Sequence, residues 1–308
     1  MIILILLVFG GCLMLERLIP GWPLPRVRTW PTRVLLVNAI QLGVVLLAGV
    51  SWEHWLSSWS LLQLSRHVSP IAGGLLAYFV ATFIFYWWHR WRHESELLWR
   101  LFHQIHHSPQ RLEVITSFYK HPAEMIVNSL IGSLLAYSLL GLSLEAGGIY
   151  TLCTALGEFF YHTNVKTPRW IGLLFQRPEM HRVHHRYGFH RNNYGDITWW
   201  DMLFGTYENP ADWENRCGFD DVLEQRLPDM LLWRDVQSNH CGMLSKQKME
   251  AGKDLSNRQR SCQSAPLQIE FHNVNRIALY RHVRGESTED AEVRELEQTV
   301  DSAGATLQ

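Results

Sequence analysis

Long apolar runs constrain this fold more than any other feature of the sequence. Residues 71–88, IAGGLLAYFVATFIFYWW, carry no charge in eighteen positions. A helix needs roughly 20 such residues to cross the hydrocarbon core of a bilayer. Similar runs lie at 1–15, 34–50, 125–142 and 146–161. We therefore predict an all-α, multi-pass bundle with four or five membrane spans, rather than the buried helices of a soluble core.

Basic residues indicate the orientation of these spans. Four arginines lie in the segment 17–33 and five basic residues lie in 89–124, whereas 51–70 has Arg66 as its single Lys or Arg. Cytoplasmic loops carry an excess of Lys and Arg. We therefore expect 17–33, 89–124 and the C-terminus on the cytoplasmic side of an integral membrane protein.

Composition excludes some functions. A net charge of -1 argues against nucleic-acid binding, because a phosphate-binding surface shows an excess of Lys and Arg. The five cysteines are scattered without a C-x-x-C pair, which argues against a disulfide framework and against a cysteine zinc site.

The sequence becomes polar after Pro210. We predict a partly disordered tail over 211–308, with an amphipathic element at 218–234 and a helix at 290–300.

Histidines form the second unusual pattern. One pair is spaced H-x-x-x-H, and the triplet H-x-x-H-H occurs twice, so that each set shares a helical face. A single histidine on a helix is usually structural, but eight in such patterns predict a metal site. Eight imidazoles exceed the four ligands of a tetrahedral zinc, so two metals held close together are expected. The eight residues are His89, His93, His103, His106, His107, His181, His184 and His185.

The order of these motifs resembles the fatty acid hydroxylase / sterol desaturase superfamily of membrane di-iron enzymes. In that order a span ends in H-x-x-x-H, and H-x-x-H-H, a hairpin and a second H-x-x-H-H follow. The resemblance covers roughly residues 75–210, so 71–210 is the expected catalytic domain and 1–70 holds N-terminal membrane helices. Further matching stretches are 117–122 (SFYKHP), 162–164 (HTN), 180–185 (MHRVHH), 193–195 (NYG) and 200–207 (WDMLFGTY).

The resemblance implies two iron ions held by the eight motif histidines in a cytoplasmic helical cap. It also implies O2 as co-substrate and hydroxylation or desaturation of a fatty acyl, sterol or related lipid. Because a ligating histidine usually donates its other N–H to a carboxylate or carbonyl, acidic residues near the motifs are expected to partner the ligands. Arg182 is expected to face headgroups or solvent. The candidates for added ligands, or for partners of the ligands, are His121, His162 and His190. Among the carboxylates Glu158 is the first candidate, and Asp201, Asp196 and Glu124 are weaker ones.

The electron source is expected to be a separate protein, either a reductase, a ferredoxin or a b-type cytochrome. The sequence has no G-x-G-x-x-G fingerprint and no cysteine cluster for an iron–sulfur centre. A histidine-rich metal-binding or metal-transport protein is the alternative function, although a transporter would place its ligands near the membrane midplane. A zinc hydrolase is a third possibility, but H-E-x-x-H is absent from the sequence.

Overall fold

The computed structural model describes residues 1–51, 55–56 and 59–237. These residues form helices and connecting segments with no β-strand, and two isolated bridges pair Phe175 with Ile197 and Arg186 with Cys217. The predicted all-α fold is confirmed for this part of the chain. The predictions for 238–308, including the helix at 290–300, lie outside the described residues.

The helices follow one another closely along the chain. In order they are α1 (Ile2–Leu18), α2 (Trp30–Val50), α3 (Pro70–Glu94), α4 (Glu96–Leu98), α5 (Gln104–His107), α6 (Pro122–Ser133), α7 (Leu144–His162), α8 (Pro178–His184), α9 (Trp199–Phe204), α10 (Asp221–Glu224) and α11 (Leu227–Leu231). The 3-10 segments are Leu64–Arg66, Val114–Phe118 and Arg169–Leu173, and π-helical turns occupy Trp99–His103 and Leu134–Leu139.

Among the described residues, two helices are long and apolar enough to cross a membrane, judged by length and composition: α2 over Trp30–Gly49, and α3. All but the first residue of the run at 1–15 lies in α1, of 17 residues, and the run at 146–161 lies within α7, of 19 residues. Large apolar side chains of α1 and α2 are exposed along much of their length. The count of four or five spans remains a prediction.

Glycine brings α3 and α7 close together. A Cβ on Gly74 would lie 2.7 Å from the Cβ of Ile149 and 2.8 Å from the carbonyl oxygen of Ala146, so the helices cross where α3 has no side chain. Small residues allow this close approach in membrane bundles. Because the helices meet near their N-terminal ends and run the same way, their C-terminal ends, with His89 and His162, come together.

The first part of the predicted tail folds back onto the bundle. The amphipathic element at 218–234 forms α10 and α11, whose apolar side chains pack with Trp30, Val34 and Val37 of α2 in one buried cluster. Arg33 and Glu224 form a buried ion pair with an N–O distance of 2.7 Å. This cap covers the same end of the bundle as the C-terminus of α3.

Candidate metal centre

Nine histidines converge into two groups at the end of the bundle. Within each group every residue offers one ligand atom, and these atoms all lie within 4.8 Å of one another. The first group is His89, His93, His103, His107 and His184, and the second is His106, His162, His181 and His185. The structure therefore brings together all eight motif histidines and adds His162.

Each H-x-x-H-H triplet contributes to both groups. The π-helical turn Trp99–His103 directly precedes α5, and its wider winding changes the direction of the side chains that follow. The ring of His103 lies 4.8 Å from that of His93, whereas His106 faces His185, also at 4.8 Å between ring centroids. π-turns are frequent at functional sites. Here the turn directly precedes a short segment that contributes to two adjoining groups.

Hydrogen bonds orient the rings of the first group. Nδ1 of His89 lies 2.8 Å from the carbonyl oxygen of Tyr194, and Nδ1 of His184 lies 2.7 Å from that of Asn192. A carbonyl accepts only, so Nδ1 carries the proton and the lone pair lies on Nε2. Buried polar atoms rarely lack a partner. Those without a hydrogen-bond partner among the described residues include Nε2 of His89, His93, His103, His107 and His184.

In the second group, the Nε2 atoms of neighbouring histidine rings face each other. Nε2 of His162 lies 3.4 Å from Nε2 of His106 and 3.0 Å from Nε2 of His181. Nδ1 of His162 donates to the carbonyl of Glu158 at 2.8 Å, and Nδ1 of His106 lies 3.3 Å from the carbonyl of Tyr119. The facing Nε2 atoms of His106 and His162 therefore both carry lone pairs, an arrangement that a metal cation would satisfy.

Burial keeps these imidazoles neutral. Desolvation lowers the pKa of His184 and that of His190 to about 3. Desolvation, followed by neighbouring positive charge, also moves other pKa values well below their ordinary value, namely those of His103, His106, His107, His181 and His185. A neutral imidazole is the form that binds a metal. The donor set and its charge state thus fit a metal such as iron, zinc or copper.

Glu124 is the carboxylate that contacts a histidine of the first group directly. Its two oxygens lie 3.2 and 3.3 Å from Nδ1 of His103, and it also pairs with the buried guanidinium of Arg92. Sequence reasoning ranked Glu158 first, but that carboxylate binds Nζ of Lys120 at 2.7 Å and lies 3.6 Å from Nδ1 of His162. The role of Glu124 depends on a contact across the fold, which helical spacing does not reveal.

Asp201 binds the backbone of the loop that orients one of the histidine rings. It accepts hydrogen bonds from the backbone N–H groups of Tyr194 and Gly195 at 2.8 and 2.9 Å, and from the Thr206 hydroxyl at 2.7 Å. Burial raises the pKa of Asp201 to about 7. Because the Tyr194 carbonyl accepts from His89, Asp201 fixes the loop that orients this ring.

The two other candidate histidines differ in position. Nδ1 of His190 lies 3.2 Å from Nδ1 of His107, so His190 borders the first group. His121 belongs to neither group. Its Nδ1 accepts from the backbone N–H of Ala123 at 3.0 Å, which caps α6, and its ring stacks on Trp233.

Arg182 does not face headgroups or solvent as expected. It is buried, donates to the carbonyl of Leu112 at 2.9 Å and to Oδ1 of Asn164 at 2.6 Å, and its guanidinium lies 4.2 Å from the Trp22 ring centroid. The side chain therefore holds α8 against two loops. These contacts are long-range in sequence, and the H-R-V-H-H motif gave no sign of them.

A cavity of about 300 Å³ begins at the histidines and extends between α3, α6 and α7. Thr82, Thr151 and Thr154 line the cavity. Each of their hydroxyl groups donates to a backbone carbonyl three or four residues earlier, so these side chains add no free hydroxyl donor to the cavity wall. Asp196 and Glu158 lie at the histidine end, where burial raises the pKa of Asp196 to about 7. The cavity is thus polar beside the histidines and largely apolar beyond them.

Comparisons with known proteins agree with this geometry. Residues 74–206 match the family model described as fatty acid hydroxylase. Sphingolipid C4-hydroxylase of Schizosaccharomyces pombe is 29% identical over 49% of this chain and 56% of its own length. Ornithine lipid hydroxylase of Rhizobium tropici is 35% identical over 44% of this chain and 42% of its own. Human alkylglycerol monooxygenase is 31% identical over 43% of this chain and 30% of its own.

The match thus spans about half the length of these relatives or less. No solved structure matches the chain significantly. The matched segment contains all nine histidines of the two groups together with Glu124 and Asp201. Residues 74–206 of this chain are thus similar in sequence to the fatty acid hydroxylase family.

Proposed function

We propose that this chain is a membrane-bound, O2-dependent oxidoreductase that hydroxylates or desaturates a lipid. The observation that carries the proposal is the convergence of nine neutral histidines on two adjoining groups at the end of an apolar cavity. The names of the similar proteins refer to hydroxylation of a sphingolipid or an ornithine lipid and to mono-oxygenation of an alkylglycerol. These names support a lipid substrate and an oxygen-dependent reaction.

The two groups would each hold one iron ion. His89, His93, His103, His107 and His184 would bind one, and His106, His162, His181 and His185 the other. When bound, the irons would activate O2 and remove hydrogen from an unactivated C–H bond. The chain itself orients the ligand rings through backbone carbonyls and Glu124, since such outer partners fix both tautomer and ring direction.

The cavity would bind the hydrocarbon part of the substrate. Beyond the histidines its walls come from α3, α6 and α7 and present apolar surface such as Ala81, Phe85 and Ala136. Exclusion of water there would protect the reacting carbon from side reactions. A lipid chain entering between these helices would place one of its carbons beside the histidine end.

The proposed function also requires an electron donor and a membrane topology. Electrons would come from a separate donor, namely a reductase, a ferredoxin or a b-type cytochrome. The chain would cross the membrane four or five times with the metal centre and C-terminus in the cytoplasm, as the distribution of basic residues suggests. A metal-binding or transport protein is the second candidate, supported by the same histidines.

Lipid analysis of a host expressing the chain tests the oxygenase function. We expect an O2-dependent new lipid product with the wild type, and at least a 100-fold smaller yield with His184→Ala, which removes one ring from the first group. His67→Ala is the matched control, because this exposed histidine lies at the opposite end of the bundle. A lipid change that survives in His184→Ala, or iron binding without any product, would contradict the proposal.

A further inference from the structure

A second cavity, of about 590 Å³, lies apart from the histidines between the α1–α2 connection and residues 111–115. We propose that this arginine cleft binds the phosphate headgroup of an anionic membrane lipid. Its polar wall holds Arg17, Arg26, Arg28 and Arg111, and its apolar wall includes Trp30 and Leu35. None of the cleft residues belongs to either histidine group, so this proposal does not rest on the proposed function.

Charge in the cleft is strongly unbalanced. Glu113 is the one carboxylate among its lining residues, against four guanidinium groups. Glu113 is buried and already accepts from Arg17 at 3.0 Å, from Arg111 at 2.7 Å and from the Trp30 indole N–H at 2.8 Å. Arg26 and Arg28 are exposed and form no ion pair within the described part of the chain. The cleft therefore has positive charge available for an anion.

The walls of the cleft are held in place before any ligand binds. The Arg111 guanidinium donates to the carbonyl of Pro25 at 2.7 Å, which ties the α1–α2 connection to the segment after α5. The backbone N–H of Val114 donates to Oε2 of Glu16 at 2.9 Å, which fixes the end of α1 to the same segment. A preformed site loses less conformational entropy when a ligand binds.

The position of the cleft favours a lipid over a free anion. It lies where α1 ends and α2 begins, and these helices expose apolar side chains directly beyond it, Leu35 and Leu36 among them. Guanidinium groups bind phosphate oxygens in bidentate fashion. A phospholipid matches both walls, whereas inorganic phosphate matches the arginines alone.

Native mass spectrometry of the full chain, released from zwitterionic nanodiscs doped with phosphatidylglycerol, tests this inference. We expect one retained phosphatidylglycerol per wild-type chain and little retention of phosphatidylcholine. Arg26→Gln with Arg28→Gln should weaken phosphatidylglycerol binding about 30-fold, because each basic residue near an anionic lipid contributes a factor of roughly five. Arg66→Gln, in the 3-10 segment Leu64–Arg66 and exposed, is the matched control and should bind as the wild type.

Three results would overturn the inference. Equal retention of phosphatidylcholine would show that the headgroup charge is not recognised. Unchanged binding by the Arg26/Arg28 double variant, with thermal stability equal to that of the wild type, would place the lipid elsewhere. Displacement of phosphatidylglycerol by millimolar inorganic phosphate would identify a site for free phosphate rather than for a lipid.

Discussion

Glu124 shows how one residue can support the centre without being among its nine histidines. It is fully buried, contacts His103 and pairs with Arg92, which is also buried. Removing one partner of a buried pair is costly because the other charge remains desolvated. The histidine would also lose the group that fixes its tautomer.

We therefore expect Glu124→Ala to lower the free energy of unfolding by about 3 kcal/mol or more and to weaken iron binding by about 10- to 100-fold. Thermal unfolding and iron titration of the purified protein measure both effects. Glu94→Ala is the control, since its pair with Arg90 is a partly exposed i, i+4 contact, for which about 0.5 kcal/mol is expected. Equal effects of the two substitutions would argue against a role of Glu124 at the centre.

At the scale of elements, the π-helical turn Trp99–His103 joins α3 and α4 to the first H-x-x-H-H triplet and thereby sets the direction of its rings relative to His93. An α-helix turns through about 100° per residue, so one residue more or less reorients everything that follows. The sequence predicts three helical faces from the i, i+3 and i, i+4 spacings. It does not predict the direction of the first triplet relative to α3, because the π-turn follows no local propensity rule.

Deletion of Arg100 tests the π-turn. Arg100 is exposed within it, and we expect its loss to convert the turn to an α-helix and to rotate His103 and His107 away from His93 of α3. Bound metal, measured by elemental analysis, should fall by at least half while helicity by circular dichroism is retained. Arg100→Ala keeps the residue count and should bind metal as the wild type. Full metal content in the deletion variant would show that the turn is dispensable.

Over the whole molecule, the sequence predicted much of the fold and of the site for identifiable reasons. Uncharged runs such as 71–88 indicate helices by length, and paired H-x-x-H-H motifs indicate clustered ligands by spacing. His162 was only a secondary candidate because it stands outside those motifs, and its place in the second group follows from α7 ending beside α8. The packing of 218–234 on α2 and the burial of Arg182 rest on long-range contacts that no local pattern encodes.

Stability of the whole molecule should depend on pH through its buried histidines. In the folded, metal-free protein the pKa of His184 and of His190 is about 3, below the ordinary value near 6.5. Between these values the unfolded chain binds protons that the folded chain does not, so stability falls as pH falls below about 6.5. For each such histidine, the free energy of unfolding falls by roughly 2 kcal/mol between pH 7 and pH 5.

We expect the midpoint of thermal unfolding of metal-free protein to drop steeply from pH 7 to pH 5. Differential scanning calorimetry at fixed ionic strength measures it. Protein loaded with metal is the comparison, and its midpoint should be higher at pH 7 because a ligand that binds the folded state stabilises it. A midpoint unchanged from pH 7 to pH 5 in the metal-free protein would contradict the neutral, buried state of these rings.

Each histidine group combines residues that lie far apart in the sequence. The first combines His89 with His184, and the second combines His106 with His185. During biosynthesis the first group is incomplete until residue 184 has been synthesised, and the second until residue 185 has been. Metal incorporation would therefore be a late step of maturation, and a product of premature termination before His184 would lack both centres.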